Sequence, residues 1–351
     1  MKLTEAIAAV QPASAEAAQA ARLHWDDIAK PPGSLGWLED VVSRMAGAYG
    51  GLPLEPLRKA VVIMCADHGV VSEGVAQNGY EVTAMMTEVI GARRSAVCRM
   101  ANAVGADVVA VNIGVAPPVR GEGVLDRLIR NGTRNMAVEP AMTRDETLKA
   151  VETGVEIASN LAKQGYNLLA TGEMGIGNTT ASAAVAAALL GCAAAETTGR
   201  GAGLSDDRLA RKIAVVERAL TLHRPNPSDP IDVLSKVGGL EIAGLTGVFL
   251  GGAAARVPVL IDGFISSAAA LAARGLCPNV TDYMIASHVS EERAAALLLN
   301  ALGLEAPIHA RMRLGEGTGA VAAMPLIELA LAVFRETATL SGTGIGDYVP
   351  R

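Results

Sequence analysis

The ten-residue stretch TGEMGIGNTT, residues 171–180, brings together three glycines, one glutamate and two adjacent threonines. It follows the apolar run NLLA and precedes an alanine-rich segment, which predicts a buried strand, a tight turn and a helix. Glycines allow close approach to the backbone, and the unpaired N–H groups at a helix N-terminus bind anions. The stretch therefore predicts an anion site, with a plain turn and a solvated Glu173 as the alternative.

Two common phosphate-binding motifs do not fit this stretch. No Gly-Lys-Ser/Thr follows the glycines, and the spacing of Gly172, Gly175 and Gly177 is not that of GxGxxG. The first apolar run ends in ADHGVV, which also lacks GxGxxG. Because nicotinamide-dinucleotide oxidoreductases carry that turn after their first strand, this class of enzyme is not expected.

A second glutamate lies between glycines in RLGEGTGA, residues 313–320. Glu316 is flanked by Gly315 and Gly317, with apolar Leu314 and Ala320 close by in the chain. Burial among apolar groups raises a carboxyl pKa from about 4.3 toward the range of a general base. The sequence thus offers Glu316 as a candidate base, with an exposed turn carboxylate as the alternative.

Histidines and cysteines form no metal-binding pattern in this sequence. The five histidines are scattered, and no second His or Cys cluster accompanies Asp67-His68. We expect Asp67 or His68 to form hydrogen bonds with neighbouring loops. The four cysteines are widely spaced without CxxC, which is typical of buried, reduced thiols. Asp262, in the run VPVLIDGF, is expected either to orient a catalytic group or to cap its loop.

Five apolar runs must position these groups. Each is rich in aliphatic residues and is flanked by segments of helical length. Apolar strands that alternate with helices indicate a parallel sheet covered on both faces, and ligands bind beyond the carboxyl ends of such strands. The runs span residues 59–69, 106–114, 167–175, 257–264 and 281–288, and their ends carry Asp67-His68, Asn112, Glu173, Asp262 and Ser287-His288.

The sequence therefore predicts an α/β fold with three α/β/α layers and a mainly parallel, Rossmann-like sheet. Two of its helices are predicted to begin at Thr179 and Ala323. We expect a large catalytic domain over residues 58–305. The segments 1–57 and 306–351 flank this strand-rich middle and are predicted to form a smaller helical lobe.

Composition and charge narrow the class of protein. Half of the 351 residues are apolar but only 3% are aromatic, so the core must consist of small and aliphatic side chains. The net charge of −6 and the absence of a Lys/Arg block argue against a nucleic-acid partner. The longest apolar run, about 15 residues from Ala181, is shorter than the roughly 20 that span a membrane. With no signal-peptide pattern at the N-terminus, we expect a cytoplasmic protein without a membrane partner.

Seven segments together resemble one family, nicotinate-nucleotide–dimethylbenzimidazole phosphoribosyltransferase, whose members activate the lower ligand of cobalamin. The segments follow the family's order and cover most of the chain, and EMGIGNTT with RLGEGTGA is a highly specific pair. The segments are KPPGSLG (30–36), ADHGV (66–70), EMGIGNTT (173–180), NPSDPIDVLSKVGG (226–239), GLTGVFLGGAA (244–254), PVLIDGFISSAAAL (258–271) and MRLGEGTGA (312–320).

The resemblance implies a reaction. Nicotinate mononucleotide donates its phosphoribosyl group to an aromatic base, nicotinate leaves, and inversion gives an α-riboside 5′-phosphate. The cationic pyridinium is already an activated leaving group, so neither a metal nor a cofactor is implied. The reacting ribose would pass through an oxocarbenium-like state, as glycosidic centres do.

The resemblance also implies roles for individual residues. Glu316 would be the general base, and Glu173 would stabilise the ribosyl cation or assist that base. Lys212 would reach the 5′-phosphate, and Asp262 would support Glu316. The implied substrate-binding residues also include members of both glycine turns, namely Gly175, Gly177, Asn178, Thr179, Gly315 and Gly317.

The segment 77–83 departs from the family pattern. It carries Gly79 where the family often has proline, followed by the bulky Tyr80. Since this loop lines the acceptor pocket in the family, Tyr80 is a candidate acceptor-binding residue, and a benzimidazole, a purine or a phenol stays open as the acceptor. We expect a homodimer, with a heterodimer of paralogues or a non-catalytic paralogous subunit as alternatives.

Overall fold

The central sheet has the strand order of doubly wound nucleotide-binding proteins. The computed structural model describes residues 1–53, 55–201 and 203–343, and over these residues six strands pair in parallel in the order β3-β2-β1-β4-β5-β6. The order in which strands are added to the sheet reverses between β1 and β4, which opens a crevice beyond the carboxyl ends of these strands. The strands are β1 (Lys59–Ala66), β2 (Ala106–Gly114), β3 (Val124–Asp126), β4 (Leu168–Met174), β5 (Val259–Ile261) and β6 (Met284–Ala286).

Helices cover both faces of this sheet. In the part of the chain that is described they are α1 (Leu3–Ala9), α2 (Ala15–Asp27), α3 (Trp37–Tyr49), α4 (Tyr80–Gly91), α5 (Ala96–Ala103), α6 (Arg144–Lys163), α7 (Asn178–Leu190), α8 (Ala194–Thr197), α9 (Asp206–His223), α10 (Pro230–Val237), α11 (Leu240–Ala254), α12 (Phe264–Leu276), α13 (Ala295–Leu302), α14 (Thr318–Glu336) and α15 (Leu340–Thr343).

Strand β1 divides the core into two halves. All eight of its residues are buried, and successive side chains of a strand point to opposite faces. Val62 and Met64 pack with α6, α7, α11 and α12, whereas Val61 and Ile63 pack with α3, α5 and α14. This alternation confirms the predicted three-layer α/β/α arrangement.

Glycine allows the two most closely packed helices, α6 and α11, to meet backbone to backbone. A Cβ atom on Gly154 of α6 would lie 1.9 Å from the carbonyl oxygen of Gly244, and one on Gly247 of α11 would lie 1.9 Å from that of Val151. Either distance is far inside van der Waals contact. The glycine- and alanine-rich composition thus serves a core of closely apposed helices with few aromatic rings.

The predicted strands are confirmed, with one omission. All five apolar runs contain a strand, and their polar residues lie in the last residues of the strand or directly after it, at the carboxyl edge. The sixth strand, β3, escaped the sequence pattern because none of its three residues is buried and it pairs only with β2 at the edge of the sheet. Helix α7 begins at Asn178, one residue earlier than predicted, and α14 begins at Thr318, five residues before Ala323.

The terminal segments pack in several places. Helix α1 contacts α6 and α11, while α2 packs on α3, and α14 packs against α3, α5 and β4. The division into a domain over 58–305 and a lobe of 1–57 and 306–351 stays a prediction, and residues 344–351 of that lobe lie outside the described residues. Helix α14 has the length and apolar composition of a membrane span, but its packing on the sheet is that of a core helix.

Candidate active site

A cavity of about 330 Å³ lies beyond the carboxyl ends of β4 and β5. Its walls come from the turn before α7, the start of α12, the segment after β6 and the turn before α14. Larger cavities exist elsewhere, but this one contains both of the predicted catalytic glutamates. The lining residues are Met86, Glu173, Met174, Gly175, Ile176, Asn178, Thr179, Gly201, Asp262, Gly263, Phe264, Ile265, Ser266, His288, Ser290, Glu292, Arg313, Leu314, Gly315, Glu316 and Thr318.

Glu173 stands at the end of β4 with 6% of its surface exposed. Its Oε2 accepts a hydrogen bond from the side-chain amide of Asn178, five residues further along. Burial, together with the negative charges of Asp262 and Glu241, raises the pKa of Glu173 to about 8. In the protein alone this carboxyl group is therefore mainly protonated at neutral pH.

The turn between Glu173 and α7 is held against the end of β1. Gly177 is the residue before the helix and has φ 95°, a conformation that favours glycine. A Cβ atom on Gly175 would lie 2.2 Å from the carbonyl oxygen of Ala66, so only glycine fits there. The backbone N–H of Ile176 donates to the Thr83 hydroxyl at 3.1 Å. These contacts fix the orientation in which α7 presents its N-terminus to the pocket.

Glu316 occupies a more strained turn. Gly315, Glu316 and Gly317 have φ values of 83°, 62° and 93°, and a positive φ costs a non-glycine residue on the order of 1 kcal/mol or more. The Glu316 side chain is buried, and its Oε2 has no hydrogen-bond partner among the described residues. Burial raises the pKa of Glu316, and the backbone N–H of Val97 opposes that shift. An unpartnered carboxylate oxygen with a raised pKa suits a proton acceptor.

Asp262, which follows β5 directly, holds this strained turn in place. One of its carboxylate oxygens accepts from the backbone N–H groups of Gly319 and Ala320 at 2.8 and 3.0 Å, and the other accepts from Gly317 at 3.1 Å. These are unpaired donors at the start of α14, and a carboxylate is a favourable partner for them. Asp262 therefore orients the turn that carries Glu316.

The two turns are in contact with each other. A Cβ atom on Gly315 would lie 2.3 Å from Oε1 of Glu173, so the Glu173 carboxyl group rests against the Gly315 backbone. On the other side, a Cβ atom on Gly172 would lie 2.5 Å from the carbonyl oxygen of Glu316. The structure therefore brings together two glutamates that are far apart in the sequence.

Lys212 lies directly behind the pocket wall. It is only 1% exposed, and its ammonium group donates to the Thr179 hydroxyl at 2.8 Å and to the Gly199 carbonyl at 3.2 Å. Burial lowers the pKa of Lys212 to about 8, and the nearby charge of Glu292 opposes that shift. A buried ammonium group beside a helix N-terminus is a suitable environment for a phosphate group.

The other predicted site residues take different positions. Gly177 and Gly317 do not line the pocket. Their positive φ values shape the two turns that carry the site residues. Tyr80 is also not among the residues that line the cavity. It begins α4, and its hydroxyl donates to the carbonyl of His68 at 3.2 Å. Tyr80 was expected to line an acceptor pocket, but in the single chain it does not line this cavity.

Sequence reasoning missed several charged and polar residues of the site. His288, Ser290, Glu292 and Arg313 line the cavity without an assigned role, although Ser287-His288 had been placed at a strand end and Arg313 adjoins the second glycine turn. The loop hydrogen bond expected of Asp67 is confirmed, because its carboxylate accepts from the backbone N–H of Ala116 at 2.8 Å.

His68 has a partner that no sequence pattern indicated. Its Nε2 lies 2.6 Å from Oε1 of Glu241, and both side chains are fully buried beneath the first glycine turn. No group of three or more His, Cys, Asp or Glu side chains among the described residues is arranged to hold a metal ion.

The strand order and the carboxylate-bearing pocket at the carboxyl edge define a doubly wound α/β protein of the nucleotide-binding type. A phosphoribosyltransferase family model matches residues 10–345. The chain belongs to this family, which confirms the resemblance found in the sequence.

Curated relatives and solved structures agree with this assignment. A nicotinate-nucleotide–dimethylbenzimidazole phosphoribosyltransferase of Chloroflexus aggregans is 49% identical over 346 residues, or 98% of each chain. The protein of the same name from Acetivibrio thermocellus is 47% identical over 326 residues, or 93% of each. The crystal structure of CobT from Thermus thermophilus superposes with a TM-score of 0.90 at 40% identity, covering 94% of this chain and 99% of that one.

Proposed function

We propose that this phosphoribosyltransferase moves the phosphoribosyl group of nicotinate mononucleotide to an aromatic lower-ligand base of the dimethylbenzimidazole type. The products are an α-riboside 5′-phosphate and nicotinate, a step in the assembly of the nucleotide loop of a cobamide. The observation that carries the proposal is the contact between the Glu173 and Glu316 turns inside one cavity. The names of the relatives support the same reaction.

In this proposal Glu316 is the general base. The aromatic base attacks C1′ of the ribose through a ring nitrogen and loses its proton to the carboxylate of Glu316, which lines the cavity. The C1′–N bond to nicotinate breaks as the new C1′–N bond forms on the opposite face. Since the pyridinium nitrogen becomes the neutral ring nitrogen of nicotinate, the leaving group needs no proton. A raised carboxyl pKa favours this transfer, because efficient bases have pKa values close to the working pH.

Glu173 changes its charge when substrate binds, according to this proposal. A carboxyl group with a pKa of about 8 is protonated at neutral pH in the free protein. The positive pyridinium of nicotinate mononucleotide would lower that pKa, because an opposite charge favours the ionised form. The resulting carboxylate would stabilise the positive charge that develops on the ribose. Asp262 would act by orienting the Glu316 turn.

The 5′-phosphate is assigned to the start of α7. Thr179, with Lys212 behind it, and the backbone of Gly175 offer hydrogen-bond donors and a positive charge. A bound phosphate would raise the pKa of Lys212 again and keep its ammonium group charged. Gly177 and Gly317 would act through the shape of their turns, and Asn178 through its hydrogen bond to Glu173.

The acceptor is assigned to the apolar part of the cavity. Met86, Ile176, Phe264 and Leu314 supply a lining for a planar aromatic base. We favour a benzimidazole on the strength of the relatives' names, with a purine or phenol as the alternative outcomes of the assay. Tyr80 would influence acceptor choice only by supporting the His68 loop. We expect a cytoplasmic homodimer, with a paralogous partner chain as the alternative.

A product assay tests this proposal. The purified chain is incubated with nicotinate mononucleotide and dimethylbenzimidazole, benzimidazole, adenine, phenol or p-cresol, and the products are separated by mass. We expect α-riboside phosphate with the benzimidazoles. Preference for adenine or a phenol would overturn the acceptor assignment alone. No product from a folded chain, with or without a paralogous partner, would contradict the catalytic proposal.

A further inference from the structure

His288 is a buried histidine of the pocket that none of the roles above uses. It follows β6 by two residues, and it lines the cavity together with Asp262 and Ser290. Its ring lies against the start of α14, where a Cβ atom on Gly319 would approach Nδ1 to 1.9 Å. The ring position is therefore fixed by packing, and an alanine at 319 could not be accommodated.

The hydrogen bonds of Ser287 determine which ring nitrogen carries the proton. The Ser287 hydroxyl has one hydrogen, which it donates to the carbonyl of Ile261 at 2.6 Å. The same oxygen lies 3.0 Å from Nδ1 of His288 and is left to act as acceptor there. Nδ1 therefore carries the hydrogen in the neutral imidazole, and Nε2 has the lone pair.

The Nε2 atom of His288 is available to a ligand. It has no hydrogen-bond partner within the described residues, yet it is not among the polar atoms sealed from solvent. Burial lowers the pKa of His288, while the carboxylate of Asp262 opposes this shift. The net direction favours the neutral ring at pH 7. The pocket thus contains a fixed hydrogen-bond acceptor that no donor from the described part of the chain satisfies.

The location of His288 indicates which part of the substrate it meets. Its ring touches Gly319, three residues from the proposed base Glu316. Cε1 of the same ring also lies near Gly263, as does Oγ of Ser290, and the chain continues to Glu292, whose charge acts on Lys212. A phosphoribosyl group extending from C1′ at Glu316 to a phosphate near Lys212 would place its ribose across this interval.

We propose that Nε2 of His288 binds a hydroxyl group of the ribose by accepting its hydrogen bond. This inference rests on the proposed function, which puts the phosphoribosyl group in this cavity. His288 then distinguishes ribose from deoxyribose donors and holds the sugar in line with the attacking base. The Ser287 hydroxyl acts indirectly, because it keeps the proton on Nδ1 and the lone pair on Nε2.

Two substitutions separate the two ring nitrogens. In His288→Asn the side-chain amide can keep the Nδ1-type hydrogen bond to Ser287 but has no atom at the Nε2 position. In His288→Gln an amide oxygen can reach the Nε2 position. Both variants and the wild type are assayed with nicotinate mononucleotide and with its 2′-deoxy and 3′-deoxy analogues. The exposed His309 provides the matched control, His309→Asn.

The wild type should prefer the ribose donor over one deoxy analogue by about tenfold to a hundredfold in kcat/KM, as one buried hydrogen bond to a polar group predicts. His288→Asn should lose activity by a similar factor with the ribose donor and show almost no preference between donors. His288→Gln should regain part of that preference, and His309→Asn should behave as wild type.

An unchanged ribose preference in a folded His288→Asn variant would overturn the inference. Equal behaviour of His288→Asn and His288→Gln would also contradict it, because it would assign the effect to packing. The ratio between donors is the decisive readout, since a general loss of folded enzyme lowers both rates equally. If the wild type makes no product, the proposed function fails instead, and calorimetric titration with the three donors then tests His288 by binding alone.

Discussion

The two glycine turns of the active site present a glutamate each, but they are built differently. Glu173 belongs to the extended end of β4 and finds its hydrogen-bond partner, Asn178, within its own turn. Glu316 has a positive φ between two glycines that also have positive φ. Its turn is held from outside by Asp262, whose carboxylate comes from the end of a different strand.

This difference teaches how one pocket can hold two carboxyl groups with different tasks. The carboxyl group of Glu173 finds its hydrogen-bond partner in the local sequence, and it is neutralised by burial and by neighbouring negative charges. The turn of Glu316 depends on tertiary contacts and leaves one carboxylate oxygen without a partner among the described residues. A strained backbone that surrounding structure holds in place is typical of catalytic positions. Each of the following experiments perturbs one turn and compares it with the other.

The largest effect is expected from Glu316→Gln. The amide keeps the size of the side chain but cannot take a proton, so kcat should fall about 10²–10⁴-fold with little change in KM for nicotinate mononucleotide. Steady-state kinetics measures both constants. Glu291→Gln, at an exposed glutamate near the site, should leave them unchanged. If Glu173→Gln abolished turnover while Glu316→Gln retained it, the base assignment would have to be reversed.

Asp262→Asn should destabilise the Glu316 turn while leaving the hydrogen bond of the Glu173 turn intact, although it also removes a charge that raises the pKa of Glu173. An amide has only one acceptor oxygen for the three backbone N–H groups, so we expect a loss of about 2–4 kcal/mol in unfolding free energy together with a lower kcat. Denaturant unfolding measures the first quantity. The control is Asp229→Asn, which removes charge from the N-cap of α10 at a more exposed position. For Asp229→Asn we expect a loss of about 1 kcal/mol in unfolding free energy and no loss of activity.

Gly315→Ala tests the contact between the two turns. The new methyl group would meet Oε1 of Glu173 at 2.3 Å, in addition to the strain of φ 83°. Gly303→Ala introduces a similar φ, 68°, where no atom lies within 4 Å of the methyl group. Gly303→Ala should therefore lower the unfolding free energy by about 1 kcal/mol, and Gly315→Ala should lower it by roughly 1–2 kcal/mol more. Thermal and denaturant unfolding of both variants measure this difference in unfolding free energy. Equal losses in the two variants would argue against the contact between Gly315 and Glu173.

The smallest expected effect is a pH-dependent stabilisation in Glu173→Gln. The folded pKa of Glu173 is raised to about 8, so its contribution to stability is present below its unfolded pKa and is lost as pH rises through about 8. Glutamine does not titrate. The variant should therefore gain on the order of 1–2 kcal/mol of unfolding free energy over wild type at pH 9 relative to the same comparison at pH 7. Urea unfolding of the variant and the wild type at both pH values tests this. An equal difference in unfolding free energy at the two pH values would show that Glu173 is ionised in the folded protein.

Sequence alone determined the strands, the glycine turns and the reaction class. Each of the five apolar runs contains a strand buried in the sheet, and a local pattern suffices to reveal such a strand. Short β3 was missed because three partly exposed residues carry too little pattern. The glycine at 177 follows from local chemistry in the same way, because its positive φ belongs to the turn itself, whereas Gly175 is required by the Ala66 carbonyl of a distant strand.

Only the tertiary structure decided how the pocket is assembled. Asp262 reaches the Glu316 turn across 55 residues, Lys212 reaches Thr179 across 33, and His68 meets Glu241 across 173. The raised pKa values of the two glutamates also depend on burial by distant elements. No local pattern encodes such pairs, because their energy comes from desolvation and from charges that only the folded chain brings within a few ångströms.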